Sequence, residues 1–277
     1  MKTLNFQGVG GLNIFARAWR PEAARPKGLV VIAHGVLSHS GYYEWVGEQL
    51  LAAGFAVFAI DHRGRGRSDG ERFFVEKIDD YVADLGTLID LAQRELPGVP
   101  TFLLGHSAGG VISSIYTLEN QAKLTGFICE SFAFQVYAPD FALAVVKGLS
   151  HVFPHAHVLK LPISEFSRDP KVVEFMNADP LIAGEVQPTT TVAALVRADE
   201  RLKEEFPLIT LPVLILHGTI DKVTKPSGSQ MFYDNAGSPD KTLKLYEGHA
   251  HDLLNDYGKE TVLGDIRAWI EARLPAT

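Results

Sequence analysis

Short apolar runs alternate with amphipathic stretches along the first half of this chain. Residues 29–33, 55–60 and 101–104 form apolar runs of strand length, of the kind found in strands that are buried on both faces. Apolar positions recur at helical spacing over residues 78–96, and Pro97-Gly98 ends that pattern. Because strand, helix and strand alternate, the pattern predicts an α/β fold with a mostly parallel central sheet and helices on both faces.

The second half interrupts this alternation and then resumes it. Residues 126–129, 213–216 and 243–246 are further strand-like runs, and residues 262–270 have the spacing of a closing amphipathic helix. Residues 131–206 are rich in aromatic residues and proline and contain no clear buried strand, which predicts an inserted helical cap. The predicted core domain therefore comprises residues 1–130 and 207–277. The alternating residues 12–19 and the preceding segment are predicted to be edge strands.

Composition narrows the class of protein. A chain of 277 residues with 46% hydrophobic and 21% charged residues can form one large domain with an insertion. A formal net charge of -7 argues against a nucleic-acid partner and against docking on an anionic membrane.

The single cysteine, Cys129, excludes an intramolecular disulfide. Neither a secretory signal nor a membrane span is visible, so we expect a cytoplasmic location. The sequence does not indicate an oligomeric state.

The run at residues 101–104 leads into Gly105-His106-Ser107-Ala108-Gly109, and a helical pattern follows. G-x-S-x-G on a sharp turn between a strand and a helix is the nucleophile elbow, in which the strained serine backbone needs small neighbours on both sides. The serine hydroxyl is thereby held out over the carboxyl edge of the sheet. This context predicts that Ser107 is a nucleophile.

A serine hydroxyl is a weak nucleophile at neutral pH, so it needs a general base and a group that orients the base. Asp221 lies on the loop after residues 213–216, and His249 and His251 lie on the loop after residues 243–246. The chain order of serine, acid and histidine is that of the α/β-hydrolases. Backbone N–H groups that stabilise the oxyanion are expected from Ala108, which follows the nucleophile, and from Val36, on the loop after residues 29–33.

Five segments carry a resemblance to a known family. They are HGVLSHSGYY (34–43), FAIDHRGRGRSDGERF (58–73), FLLGHSAGG (102–110), HGTIDKVT (217–224) and KTLKLYEGHAH (241–251). The chain resembles α/β-hydrolases of the monoacylglycerol lipase and lysophospholipase group. The resemblance implies a cofactor-independent serine carboxylesterase that cleaves short- to medium-chain monoacyl esters through an acyl-enzyme on Ser107. It also favours His251 over His249, because His251 has the G-x-x-H spacing of this fold's catalytic histidine.

The chain departs from this group at three positions. Ser38 and Tyr42 stand where the mammalian monoacylglycerol lipases have an acidic residue and an arginine, and Ala108 stands where methionine is usual. A lactonase, a peptidase or an acyltransferase could use the same triad. A non-catalytic ligand-binding protein on this fold is a further alternative.

Two other motifs resemble known binding sites, but each lacks residues that such a site needs. The loop at residues 64–69 lacks the third glycine of a dinucleotide-binding loop, so its arginines are expected to brace neighbouring loops or to be solvated. His151, His155 and His157 have no accompanying cysteine or carboxylate pattern, so no metal site is expected. The apolar segment FALAVV of the cap predicts transient contact with a membrane or lipid aggregate.

Overall fold

An eight-stranded sheet forms the centre of the molecule. The structure is a computed structural model that describes residues 1–22 and 24–275. The ten strands of the described residues are β1 (Lys2–Gln7), β2 (Asn13–Trp19), β3 (Leu29–Ala33), β4 (Ala56–Ile60), β5 (Thr101–His106), β6 (Gly126–Glu130), β7 (His157–Leu159), β8 (Gln187–Pro188), β9 (Val213–Gly218) and β10 (Lys241–Tyr246).

The strand order of the large sheet is β1-β2-β4-β3-β5-β6-β9-β10. Strand β2 runs antiparallel to both of its neighbours, and the remaining pairs are parallel, which confirms the predicted mostly parallel sheet. The prediction of edge strands at the start of the chain is right for β1. It is wrong for β2, which lies between β1 and β4 with six of its seven residues buried.

Helices cover both faces of the sheet. The helices of the described residues are α1 (Glu44–Ala52), α2 (Ile78–Glu95), α3 (Ala108–Asn120), α4 (Asp140–Leu149), α5 (Pro170–Ala178), α6 (Thr189–Glu205), α7 (Pro226–Asn235) and α8 (Lys259–Glu271). Alternate side chains of β3 enter opposite cores: Val31 belongs to the core that includes residues of α2, α3 and α7, whereas Val30 belongs to the core that includes residues of α1 and α8. The closing helix and the helix at residues 78–96 are therefore confirmed to within a few residues.

The chain between β6 and β9 forms α4, α5 and α6 together with a two-stranded sheet of β7 and β8. The hydrophobic pattern gave no sign of these strands, because three and two residues are too short to show an alternation. Helix α4 packs on α6 but has no buried residue of its own. The division into a core and a cap with bounds at 131–206 stays a prediction. We call residues 131–206 the insertion.

The carboxyl ends of β3, β5, β6 and β9 meet at one edge of the sheet because these strands are parallel neighbours. Loops that leave these ends therefore converge, as they do in open α/β sheets generally. Cys129 lies one residue before the end of β6 and is fully buried. No helix within residues 1–22 and 24–275 is long and apolar enough to cross a membrane.

Candidate active site

Ser107 occupies a strained turn between β5 and α3. Its backbone has φ 56° and ψ -121°, a region that residues other than glycine rarely adopt. The turn depends on its glycine neighbours, since a Cβ atom on Gly109 would overlap the carbonyl oxygen of Ala33. The Ser107 N–H donates to the Glu130 carbonyl oxygen at 2.9 Å, which ties the turn to β6. This is the elbow geometry that the sequence predicts.

Asp221 and His251 are brought into direct contact. Nδ1 of His251 lies 2.7 Å from Oδ2 of Asp221, and both side chains are fully buried. Asp221 also accepts hydrogen bonds from the N–H groups of Val223, at 2.7 Å, and Thr224, at 2.9 Å. Oδ2 lies 3.1 Å from Nε2 of His217, a contact that the sequence analysis missed.

Burial alone would raise the pKa of Asp221. Instead, the nearby His251 and the hydrogen bonds from His217 and His251 hold the pKa of this carboxyl well below its usual range. Asp221 is therefore ionised at neutral pH and can orient and stabilise a positively charged imidazole. The other candidate histidine, His249, turns away: its Nδ1 lies 3.2 Å from the carbonyl oxygen of Glu247.

The second ring nitrogen of His251 is free to act as a base. Nε2 is buried and has no hydrogen-bond partner among the residues that the structure describes. The ring packs between His106, at 4.9 Å between ring centroids, and Phe166, at 5.0 Å. His106 directly precedes Ser107, so the predicted base and the predicted nucleophile belong to adjacent parts of the same sheet edge.

The loop after β3 lies against Ser107. A Cβ atom built on Gly35 would come within 2.8 Å of Ser107 Cβ and 3.3 Å of its Oγ, so this position requires glycine. Val36, Ser107 and Ala108 line one cavity. Leu37, which follows Val36, has a positive φ of 51°, and its N–H donates to Oε1 of Glu185 at 3.0 Å. The structure thus places both predicted oxyanion residues beside the predicted nucleophile.

Glu185 belongs to a buried network that joins the insertion to the loop after β4. It forms an ion pair with Arg65, and the exposed fractions of the two side chains are 1% and 4%. Gln187 accepts from Arg65 at 2.7 Å and donates to Glu185 at 2.7 Å. Burial alone would lower the pKa of Arg65, but Glu185 raises it above its usual value. Arg65 therefore braces neighbouring loops, as expected from the sequence.

Two further polar clusters lie near this edge. Asp179 accepts from Tyr42 at 3.0 Å and lies 2.9 Å from Nε2 of His39. His106, Glu130 and Asp252 also converge, with one ligand-type atom from each residue lying within 4.8 Å of the others. Burial, and then Asp252, raises the pKa of Glu130 well above its usual value, and burial raises the pKa of Asp252 to about 6. Glu130 could have been suspected from the sequence, because a carboxylate at the end of an apolar strand points to this edge.

The cavity that contains Ser107 has a volume of about 680 Å³. The rest of its lining comes mainly from residues 133–138, helices α4 and α6 and the segment 158–161 of the insertion, and from the loop at residues 222–225. A second cavity, of about 610 Å³, is lined by residues near the amino ends of the strands, such as Lys2, Arg25 and Val99. It lies at the opposite edge of the sheet from Ser107, so the first cavity is the candidate substrate site.

The histidines of the insertion do not converge. His151 lies 3.3 Å from a guanidinium nitrogen of Arg197, whereas His155 lies 2.7 Å from a carboxylate oxygen of Glu71. They therefore pair with different parts of the chain.

Comparison with known proteins finds a matching family model, similar sequences and a similar solved structure. A family model described as serine aminopeptidase, S33, matches residues 24–258. The chain is 34% identical to monoacylglycerol lipase of Mycolicibacterium smegmatis over 272 residues, which are 98% of this chain and 97% of that protein. It is 34% identical to monoglyceride lipase of Homo sapiens over 268 residues, which are 95% of this chain and 88% of that protein. The crystal structure of monoacylglycerol lipase from Paleococcus ferrophilus has a TM-score of 0.84 at 28% identity, with coverage of 94% and 99%. These similarities span both the core and the insertion.

Proposed function

The chain belongs to the serine aminopeptidase S33 family of α/β-hydrolases, and from that premise we propose that it is a monoacylglycerol lipase-like serine carboxylesterase. Its predicted substrates are short- to medium-chain monoacyl esters. The observation that carries the proposal is the contact of 2.7 Å between His251 and Asp221, at the edge where Ser107 lies on a strained turn in a cavity wall. The full-length relatives support ester hydrolysis as the reaction.

In the proposed mechanism, Oγ of Ser107 attacks the ester carbonyl carbon while Nε2 of His251 takes the hydroxyl proton. Asp221 stabilises the imidazolium that forms. The N–H groups of Val36 and Ala108 donate to the oxyanion of the tetrahedral intermediate. When the intermediate collapses, the alcohol leaves with the proton from His251 and an acyl-enzyme remains. Water then attacks the acyl-enzyme by the same route, and the free acid is released.

A p-nitrophenyl ester series from acetate to palmitate tests this proposal. The wild type should show a peak at one chain length, and Ser107→Ala should lower kcat on the order of 10⁶-fold. Ser113→Ala is the matched control, since Ser113 is a buried serine of α3 outside the cavity lining. Activity of Ser107→Ala close to the wild-type value would refute the mechanism.

The same triad can act on other acyl compounds. Product analysis with ester, lactone, aminoacyl amide and alcohol-acceptor panels distinguishes an esterase from a lactonase, a peptidase or an acyltransferase. Labelling of the folded protein by a fluorophosphonate tests the non-catalytic alternative, because such a probe reacts only with an activated serine. Labelling should occur in the wild type and be absent in Ser107→Ala. The predicted cytoplasmic location stays a prediction.

We also propose that α4 contacts lipid aggregates transiently. Its outer face carries Phe141, Val145 and Leu149, which are 74%, 55% and 40% exposed, and the following loop carries the exposed Val152 and Phe153. These residues form an unusual run of exposed apolar side chains, which marks interaction surfaces in general. The wild type should co-sediment with neutral phosphatidylcholine vesicles more than Phe141→Ser does. Equal sedimentation of the two proteins would contradict the proposal.

A further inference from the structure

Two carboxyl groups interrupt the largely apolar wall that the insertion contributes to the Ser107 cavity: Asp140 at the start of α4 and Asp199 on α6. Asp199 lies on α6 in line with Val192, Leu195 and Val196, which precede it by seven, four and three residues and share its face of the helix. All four residues line the cavity. Helix α4 contributes the apolar Ala142, Leu143 and Val146, together with Asp140 at its first position. Asp199 is thus a polar side chain among apolar ones where α4 and α6 together line the cavity.

The carboxyl of Asp199 is incompletely paired. Its Oδ1 is buried and has no hydrogen-bond partner within the part of the chain that the structure describes. Buried polar atoms without a partner are rare in native proteins, and they often mark a site where a ligand completes the pairing. Burial, and then the charge of Glu200, raises the pKa of Asp199 well above its usual value. A shift in this direction favours the neutral acid more than in a carboxyl exposed to water, and a neutral carboxyl can both donate and accept a hydrogen bond.

The charged groups around Asp199 are engaged with other partners. Lys147 of α4 forms an ion pair with Glu200, the residue after Asp199. Arg197 lies within 3.4 Å of Ser150 Oγ and 3.3 Å of His151 Nε2. Neither of these two cations has an ion pair with Asp199. The side chain therefore remains available to a ligand in the cavity.

We propose that Asp199 is a specificity-determining residue that binds a hydroxyl group on the acyl chain of the ester. This rests on the proposed function, and it places the acyl part of the substrate along the apolar residues of α4 and α6 that line the cavity. A neutral carboxyl and a hydroxyl can exchange hydrogen bonds without burying a charge, whereas an ammonium group would require an ionised carboxylate in this wall. The substrate class that fits is therefore hydroxyacyl esters rather than plain fatty acyl esters.

The test compares esters that differ in one non-hydrogen atom. p-Nitrophenyl 8-hydroxyoctanoate and p-nitrophenyl nonanoate have the same leaving group and the same number of chain atoms, and six- and ten-carbon hydroxyacyl pairs vary the reach. At the best length, the wild type should favour the hydroxyacyl ester about 10-fold or more in kcat/KM, because the plain chain leaves the carboxyl unpaired. Asp199→Leu should reverse this preference by slowing the hydroxyacyl ester and accelerating the plain one.

Glu204→Gln is the matched control, since it removes an exposed carboxylate of α6 that does not line the cavity and should leave the wild-type preference in place. A wild-type ratio near one at every length, or the same ratio in Asp199→Leu, would overturn the proposal. A stronger preference for the 8-aminooctanoyl ester would overturn the assignment of a hydroxyl.

Binding can be measured apart from hydrolysis. Octane-1,8-diol and nonan-1-ol are matched probes that need no catalysis, and each should shift the melting temperature if it enters the cavity. The diol should stabilise the wild type more than the alcohol does, and Asp199→Leu should abolish this difference. Equal shifts in the wild type would overturn the role of Asp199. If the diol is preferred but no ester is cleaved, the proposed function fails while the binding role of Asp199 stands.

Discussion

Replacing Glu185 should damage both the stability of the fold and the proposed oxyanion site. Its carboxylate pairs with Arg65 and accepts the N–H of Leu37, the residue after Val36. Both side chains of the ion pair are almost fully buried, so salt and water screen the pair little. Removing one partner of a buried ion pair leaves an uncompensated charge and costs about 3–5 kcal/mol. We therefore expect Glu185→Ala to unfold more easily by about that amount.

The effect on catalysis follows from the backbone of Leu37. Its positive φ of 51° is unfavourable for a residue with a side chain, and the hydrogen bond to Glu185 helps to hold it. Without this bond the loop can relax and move the Val36 N–H away from the oxyanion. Since one oxyanion donor is worth roughly 10²–10³ in kcat, that factor is the upper limit for the loss. KM should change little, because the interaction belongs to the transition state.

Two measurements separate these effects. Urea denaturation gives the free energy of unfolding, and p-nitrophenyl ester kinetics give kcat and KM for each variant. The double variant Arg65→Met with Glu185→Leu removes both charges, so it should recover much of the stability without recovering kcat. Glu119→Ala is a control, because the ion pair of Glu119 with Arg201 is exposed and should contribute less than about 1 kcal/mol. Wild-type kcat in a folded Glu185→Ala would refute the link between Glu185 and the oxyanion site.

Three other substitutions test the site. Gly35→Ala should lower kcat while the protein stays folded, because its Cβ would lie 2.8 Å from Ser107 Cβ; kinetics with circular dichroism check this, and wild-type kcat would contradict the close packing. Asp221→Asn should cost on the order of 10⁴-fold in kcat, because an amide favours the wrong tautomer of His251; a loss below 10-fold at neutral pH would contradict this role. The pKa of Glu130 is raised in the folded protein, so above a pH of about 4.3 the folded protein retains a proton that the unfolded chain has released. The free energy of unfolding therefore falls as pH rises from there towards the raised pKa. Urea denaturation should therefore show that Glu130→Gln gains stability over the wild type as pH rises from 5 to 8, and a constant difference would contradict this.

The sequence predicts those features that depend on neighbouring residues. The glycine-flanked Ser107 and the position of Asp221 after a strand are local signals, because parallel strands bring their carboxyl ends to one edge. The bounds of the strands and helices also follow from local sequence signals. A local signal, a carboxylate at the end of an apolar strand, could also have drawn attention to Glu130 at the end of β6.

Contacts between distant segments were outside the reach of pattern reasoning. Glu185 accepts the N–H of Leu37 from 148 residues away, and no periodicity links the two positions. Asp199 falls at the end of an apolar helical stripe, where a polar residue ordinarily indicates a solvent-exposed face. Its place in the cavity wall depends on the packing of α4 against α6, which follows from tertiary structure alone.

The buried Cys129 makes the protein convenient for site-specific labelling. It is the one cysteine of the sequence, its side chain is inaccessible, and burial raises the pKa of its thiol well above the usual value. Because thiolates rather than thiols react with maleimides, the native protein should be inert to these reagents. A cysteine placed at the exposed position of Phe141 would therefore react alone and carry a fluorophore on α4. The rate at which Cys129 itself becomes modified would report how often the core opens.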